Sequence, residues 1–170
     1  MSKISDFDSE LIESLFIKYA KVNTRSDASS HTVPTTVGQV KLAKMVEKDL
    51  QELGIKDAKY EPENSYVLGT LPSNSDKDLS SIGFIAHLDT ADFNAENIQP
   101  QVHPDYDGGD IVLNAEKKIV LSPKEFPLLK KYVGQRVITT DGTTLLGADD
   151  KAGIAAIFGA LKYFLTHPEV

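Results

Sequence analysis

Residues 82–86, Ile-Gly-Phe-Ile-Ala, form an unbroken apolar run that ends directly in His87-Leu88-Asp89. A run of this length without polar alternation reads as a central strand of an α/β sheet, buried on both faces. Side chains alternate along a strand, so His87 and Asp89 would share one face at its end. A second apolar stretch, Thr144-Leu145-Leu146, runs into Gly147-Ala148-Asp149-Asp150-Lys151-Ala152-Gly153. There a strand hands over to a helix, the place where open α/β sheets build their sites. An imidazole and a carboxylate converging at such a place suit a hard or borderline metal such as zinc.

The bulk numbers narrow the function. With 170 residues the chain has the length of one domain, and it could bury about 70% of its unfolded surface. The net charge of -7 argues against a nucleic-acid partner, because phosphate binding needs a basic face. The absence of cysteine excludes disulfides and thiolate metal sites, so any zinc must be held by His, Asp or Glu. No apolar stretch reaches the roughly 20 residues that cross a bilayer. The start, Met1 to Asp6, lacks the layout of a secretion signal. A cytoplasmic location, with no membrane partner, is the default expectation.

Periodicity places the elements. Leu11, Ile12, Leu15, Phe16, Tyr19 and Ala20 predict a helix near residues 8–21, capped by Asp6 or Asp8. Residues 23–34 are polar and read as a loop. Leu42, Ala43, Val46, Leu50 and Leu53 predict an amphipathic helix over 37–53, with Thr36 as its cap and Gly54 as its stop. Strands are expected at 59–61 and 66–71, and a polar turn at 72–79. Residues 91–135 read as an excursion with short β pieces at 111–113 and 119–121 and a helical turn near 124–132. Residues 136–140 are β-like, Asp141-Gly142 signals a hairpin, and 143–146 would return as a strand. The last helix is expected over 151–166, with Asp150 as its cap and Ile154, Ile157, Phe158, Leu161 and Leu165 on the buried side. His167-Pro168 then leads out of it.

Each candidate also has a plainer reading. His87-x-Asp89 alone could merely cap a sheet edge. One of Asp149 and Asp150 is accounted for by helix capping and the helix dipole, but not readily both. Gly147 and Gly153 would let backbone or metal come close. Lys151 could neutralise the acidic cluster, but reads rather as an exposed helix residue. Gly108-Gly109 with Asp107 and Asp110 reads as a turn, since it lacks the ligand spacing of a calcium loop. His31 and His103 read as surface residues. Paired aspartates with Lys151 suggest a phospho-acceptor module, but that fold places its acidic pair near the chain start.

Taken together, His87-Leu88-Asp89-Thr90 and the stretch from Thr139 to Ile154 closely resemble the peptidase T family, tripeptide aminopeptidases among the co-catalytic di-zinc exopeptidases. Val33-Pro34-Thr35-Thr36, Gly38-Gln39, Ile82-Gly83-Phe84, Gly108-Gly109-Asp110-Ile111 and Leu121-Ser122-Pro123 agree with it. The resemblance implies an α/β fold, a mixed sheet flanked by helices, as an incomplete zinc-exopeptidase catalytic domain. It implies His87 as a ligand to one zinc, Asp149 as the carboxylate bridging two, and Asp89 as the catalytic-site residue that orients the His87 imidazole. Asp150 receives no ligand role. The substrates implied are small peptides, tripeptides above all. The general-base glutamate, the remaining ligands and the dimerisation domain would lie beyond residue 170. Residues 1–170 are thus expected to be the N-terminal portion of the catalytic domain, inactive alone, and homodimeric only where that further domain is present. A related di-zinc dipeptidase or acyl-amino-acid hydrolase, or a non-catalytic piece that binds a partner, are the alternatives.

Overall fold

The computed structural model describes residues 8–169, which divide into two compact units, residues 8–92 with 147–169 and residues 93–146. The first unit is built on three helices. Helix α1 (Ser9–Ala20) starts where the Asp8 carboxylate accepts the Leu11 amide at 2.9 Å; the alternative cap, Asp6, lies outside the described residues. Helix α2 (Val37–Leu53) ends at Gly54, whose φ of 119° lets its amide reach back to Leu50 and Gln51. Thr36 holds the N-cap position of α2, but its hydroxyl donates to the Arg25 carbonyl instead of to the helix. Helix α3 (Ala148–Thr166) has non-helical backbone at Asp149 and Asp150, so regular helix begins at Lys151, as the pattern predicts.

The core of this unit joins α1 to α3. Leu15, Phe16, Tyr19 and Ala20 are buried with Ile154, Ala155 and Phe158, and the Tyr19 and Phe158 rings meet at 6.1 Å. Burying a side chain of the Leu or Phe class contributes about 1.5–3 kcal/mol. A polar cluster ties α1 to α2. Asp49 accepts from the Tyr19 hydroxyl at 2.8 Å and from the Lys18 amine at 2.6 and 2.7 Å. Burial first, and then the bond to Asp49 and its charge, hold the Tyr19 phenol well above its ordinary pKa. Strands β1 (Lys59–Glu61) and β2 (Tyr66–Leu68) form an antiparallel hairpin beside α2.

The second unit pairs β3 (Gln101–His103) with β6 (Val137–Thr139), and β4 (Ile111–Asn114) with β5 (Ile119–Leu121), both antiparallel. A 3-10 helix spans Pro127–Tyr132. Ala95, Ile98, Tyr106 and Ile111 form its buried centre. Gly108-Gly109 is a turn, closed by the Gly109 amide on Asp107.

Three expectations change. Among the described residues helices and strands are mixed, but the strands form three separate two-stranded antiparallel sheets, not one mixed sheet. The run at 82–86 is not a strand and is not buried: Ile82, Phe84 and Ile85 are 80%, 65% and 95% exposed. Apolar composition favours burial, but a strand also needs a hydrogen-bonding neighbour. The first backbone pairing after the run comes only at Thr90, in an isolated parallel bridge to Arg25. Finally, 143–146 does not return as a strand. The Asp141 carboxylate accepts both the amide and the hydroxyl of Thr143, and the Leu145 amide turns to Asn94. The partner of β6 is β3, which the excursion reading left without a strand.

Candidate functional site

The two sequence motifs meet in the first unit. His87 Nε2 lies 2.9 Å from Asp149 Oδ1. On the other side of the ring, Nδ1 lies 2.9 Å from the Asp89 carbonyl oxygen and 3.1 Å from Asp89 Oδ1. Both ring nitrogens therefore face oxygen acceptors, which suits a ring that donates from both, the imidazolium. Partial burial works against that charge. The bond to Asp149, the bond to the Asp89 carbonyl and the two carboxylate charges outweigh it, so the His87 pKa is raised above its ordinary value. If Nε2 gives up its proton while Nδ1 stays bonded to Asp89, a lone pair points at the Asp149 carboxylate.

Each of these groups has a local cause. Asp149 sits where the chain has not yet entered regular helix, with φ and ψ of -90° and 104°, and its side chain is 95% exposed. The Asp149–Asp150 peptide bond is cis. Asp150 acts as the predicted cap, accepting the Gly153 amide at 3.1 Å. A side chain at Gly153 would begin 2.2 Å from Asp150 Oδ1, so only glycine lets that carboxylate lie over the first turn. The two acidic neighbours thus part company: Asp149 faces the His87 ring, and Asp150 closes the helix.

Lys151 corrects its sequence reading. It is 0% exposed, and its amine donates to the Val22 carbonyl at 2.7 Å. Burial pulls its pKa down from the ordinary lysine value to about 8. The signal was present in the sequence, since Lys151 shares a helix face with Ile154, Ala155 and Phe158. His103 also departs from a surface role: it is half-buried in β3, with Nε2 3.0 Å from the Thr139 hydroxyl. His31 is exposed as expected.

Sequence reasoning missed Ser26. Its hydroxyl donates to Asp89 Oδ2 at 2.7 Å, on the carboxylate whose other oxygen faces His87. Nothing in a polar stretch of the Asn-Thr-Arg-Ser kind marks it beforehand. Among the described residues no group of three His, Cys, Asp or Glu side chains is placed to hold one metal ion, so His87 and Asp149 stand as a pair. No described helix is long and apolar enough to cross a membrane.

No family model matches the chain. Curated proteins do. It is 56% identical over 162 residues to the peptidase T of Geobacillus kaustophilus, which covers 95% of this chain and 39% of that protein. The peptidase T of Fusobacterium nucleatum is 56% identical over 155 residues, 91% of this chain and 37% of its own length. That of Enterococcus faecalis is 55% identical over 156 residues, 91% and 38%. The chain therefore spans about two fifths of the length of the curated relatives it matches. Identity at this level along nearly all of its residues means that the chain belongs to the peptidase T family.

Proposed function

We propose that this chain carries part of the metal centre of a zinc-dependent aminopeptidase that releases N-terminal residues from tripeptides. His87 would be a ligand to one zinc, Asp149 would be the carboxylate that two zincs share, and Asp89 would orient the His87 ring. The observation that carries this is the 2.9 Å approach of His87 Nε2 to Asp149 Oδ1, across 62 residues of sequence.

The donors fit the metal. An imidazole and a carboxylate are the ligands expected of a catalytic zinc in a chain without cysteine. Two ligands of one tetrahedral zinc, each at about 2.0–2.2 Å, would stand about 3.3–3.6 Å apart. The pair needs to open by only a few tenths of an ångström. Asp89 supplies the outer partner that ligating histidines almost always have, fixing the tautomer with Nε2 free. When bound, zinc would polarise a peptide carbonyl and lower the pKa of a water.

Two protein ligands fall short of the three that a catalytic zinc usually has. The 170 residues alone are therefore expected to bind zinc weakly and to show no measurable tripeptidase activity. Calorimetric titration of zinc into the chain should give weak binding that is lost in both His87→Ala and Asp149→Ala. Tight binding untouched by either change would overturn the site, and robust zinc-dependent release of N-terminal residues by the purified chain would overturn its inactivity.

A further inference from the structure

We infer that the loop of residues 22–26 is the positioning element of the His87–Asp149 pair, with Lys151 and Ser26 as the positioning residues through which it acts. The loop reaches both halves of the pair from behind. Toward His87, the Thr90 amide donates to the Thr24 carbonyl at 3.0 Å and the Ser26 amide to the Thr90 carbonyl at 2.9 Å. These bonds set the backbone just after Asp89. The Ser26 hydroxyl then fixes the Asp89 carboxylate itself. Toward Asp149, the Lys151 amine holds the Val22 carbonyl two residues past the carboxylate, across 129 residues of sequence. Its amine also packs under Gly147, where an added Cβ would come within 3.3 Å of it and 3.0 Å of the Thr90 methyl. Val22, Gly147, Lys151 and Thr90 thus form one contiguous seat below the pair.

The loop can serve as a reference only if it is itself fixed, and it is. The Gln39 amide nitrogen donates to the Thr24 and Arg25 carbonyls, and the Thr36 hydroxyl donates to the Arg25 carbonyl. Arg25 pairs with Asp92. The backbone at Gly38 presses on the Asn23 carbonyl so closely that a Cβ there would lie 1.8 Å from its oxygen. Val22 and Thr24 are buried although the segment is polar. A buried ammonium is costly unless it is hydrogen-bonded. Lys151 adds no exposed charge that could aid solubility, and its amine is spent on the carbonyl that carries the loop. Removing the hydrogen bonds that orient metal ligands typically weakens metal binding 10–100-fold.

This role rests on the zinc reading for one of its two readouts. The test uses the 170-residue chain with Ser26→Ala and Lys151→Met, zinc titration, and nitrogen-15 NMR of the His87 ring without metal. Ser26→Ala should keep its unfolding midpoint within about 2 °C, shift the His87 Nδ1 resonance, and weaken zinc about tenfold. Lys151→Met should weaken zinc at least as much; if it fails to fold by circular dichroism, Ser26→Ala decides. If the parent chain binds no zinc, the metal reading fails, and the ring-nitrogen shift alone judges the loop. A folded Ser26→Ala chain with unchanged His87 resonances, and zinc affinity within twofold wherever the parent binds zinc, would overturn the positioning role.

Discussion

The loop of residues 22–26 and the run of residues 82–86 lie in the same compact unit and reverse what their compositions suggest. The loop is mostly polar, yet Val22 and Thr24 are buried and its carbonyls are taken by Gln39, Thr36, Lys151 and the Thr90 amide. The run is apolar throughout, yet Ile85 is 95% exposed. Hydrophobicity sets a tendency to leave water, but where a segment goes is decided by who satisfies its backbone. The loop's carbonyls have neighbouring donors to match. Among the described residues the run has no strand beside it.

The strongest way to break this comparison is Gly38→Ala. The new methyl group would strike the Asn23 carbonyl, a backbone atom that cannot swing away. A loss of about 3 kcal/mol is expected, at the upper end for overpacking, measured by urea denaturation. A loss under about 1 kcal/mol would mean the loop is not fixed.

A smaller effect is expected one turn upstream, where the Tyr19 carbonyl receives the Val22 amide. Tyr19→Phe removes the hydroxyl bond to Asp49 and should cost about 1–2 kcal/mol at pH 8. The sign of its pH dependence follows from the raised phenol pKa. Above about pH 10 the unfolded phenol ionises while the folded one stays protonated, so the parent loses stability as pH rises there. The phenylalanine variant lacks this loss, and the gap between the two chains should narrow between pH 9 and 11. A constant gap would refute the buried, carboxylate-bonded phenol.

The smallest effect belongs to the run. Ile85→Lys should change stability by no more than about 0.5 kcal/mol, as at other exposed positions, and should lower self-association in light scattering, since an uncharged exposed apolar segment invites edge pairing. A loss above about 2 kcal/mol would show that the run is packed after all, and the contrast with the loop would collapse.

Much of the frame was legible beforehand. The three helices follow their apolar periods except at Leu165, which was expected on the buried side and is exposed, and Asp8, Gly54 and Asp150 terminate them as their chemistry suggests. The short strands at 59–61 and 119–121 stand where β-branched and aromatic residues put them. The pairing of β6 with β3 was not legible, because register depends on a partner more than 30 residues away that carries no pattern of its own. The burial of Lys151 was signalled by its place on the face of Ile154, Ala155 and Phe158, but its acceptor, the Val22 carbonyl 129 residues away, was not legible.

The amino-acid order by itself determined the helices, their caps and the identity of the chemically capable residues, because these depend on side-chain type and spacing within a few residues. It brought His87, Asp89 and Asp149 forward as candidates. Only the tertiary structure decided that His87 and Asp149 come within hydrogen-bonding distance, that Ser26 and Lys151 stand behind them, and that an apolar run lies in water while a polar loop is enclosed. Those outcomes depend on which distant donor meets which acceptor, and local sequence does not encode a partner far along the chain.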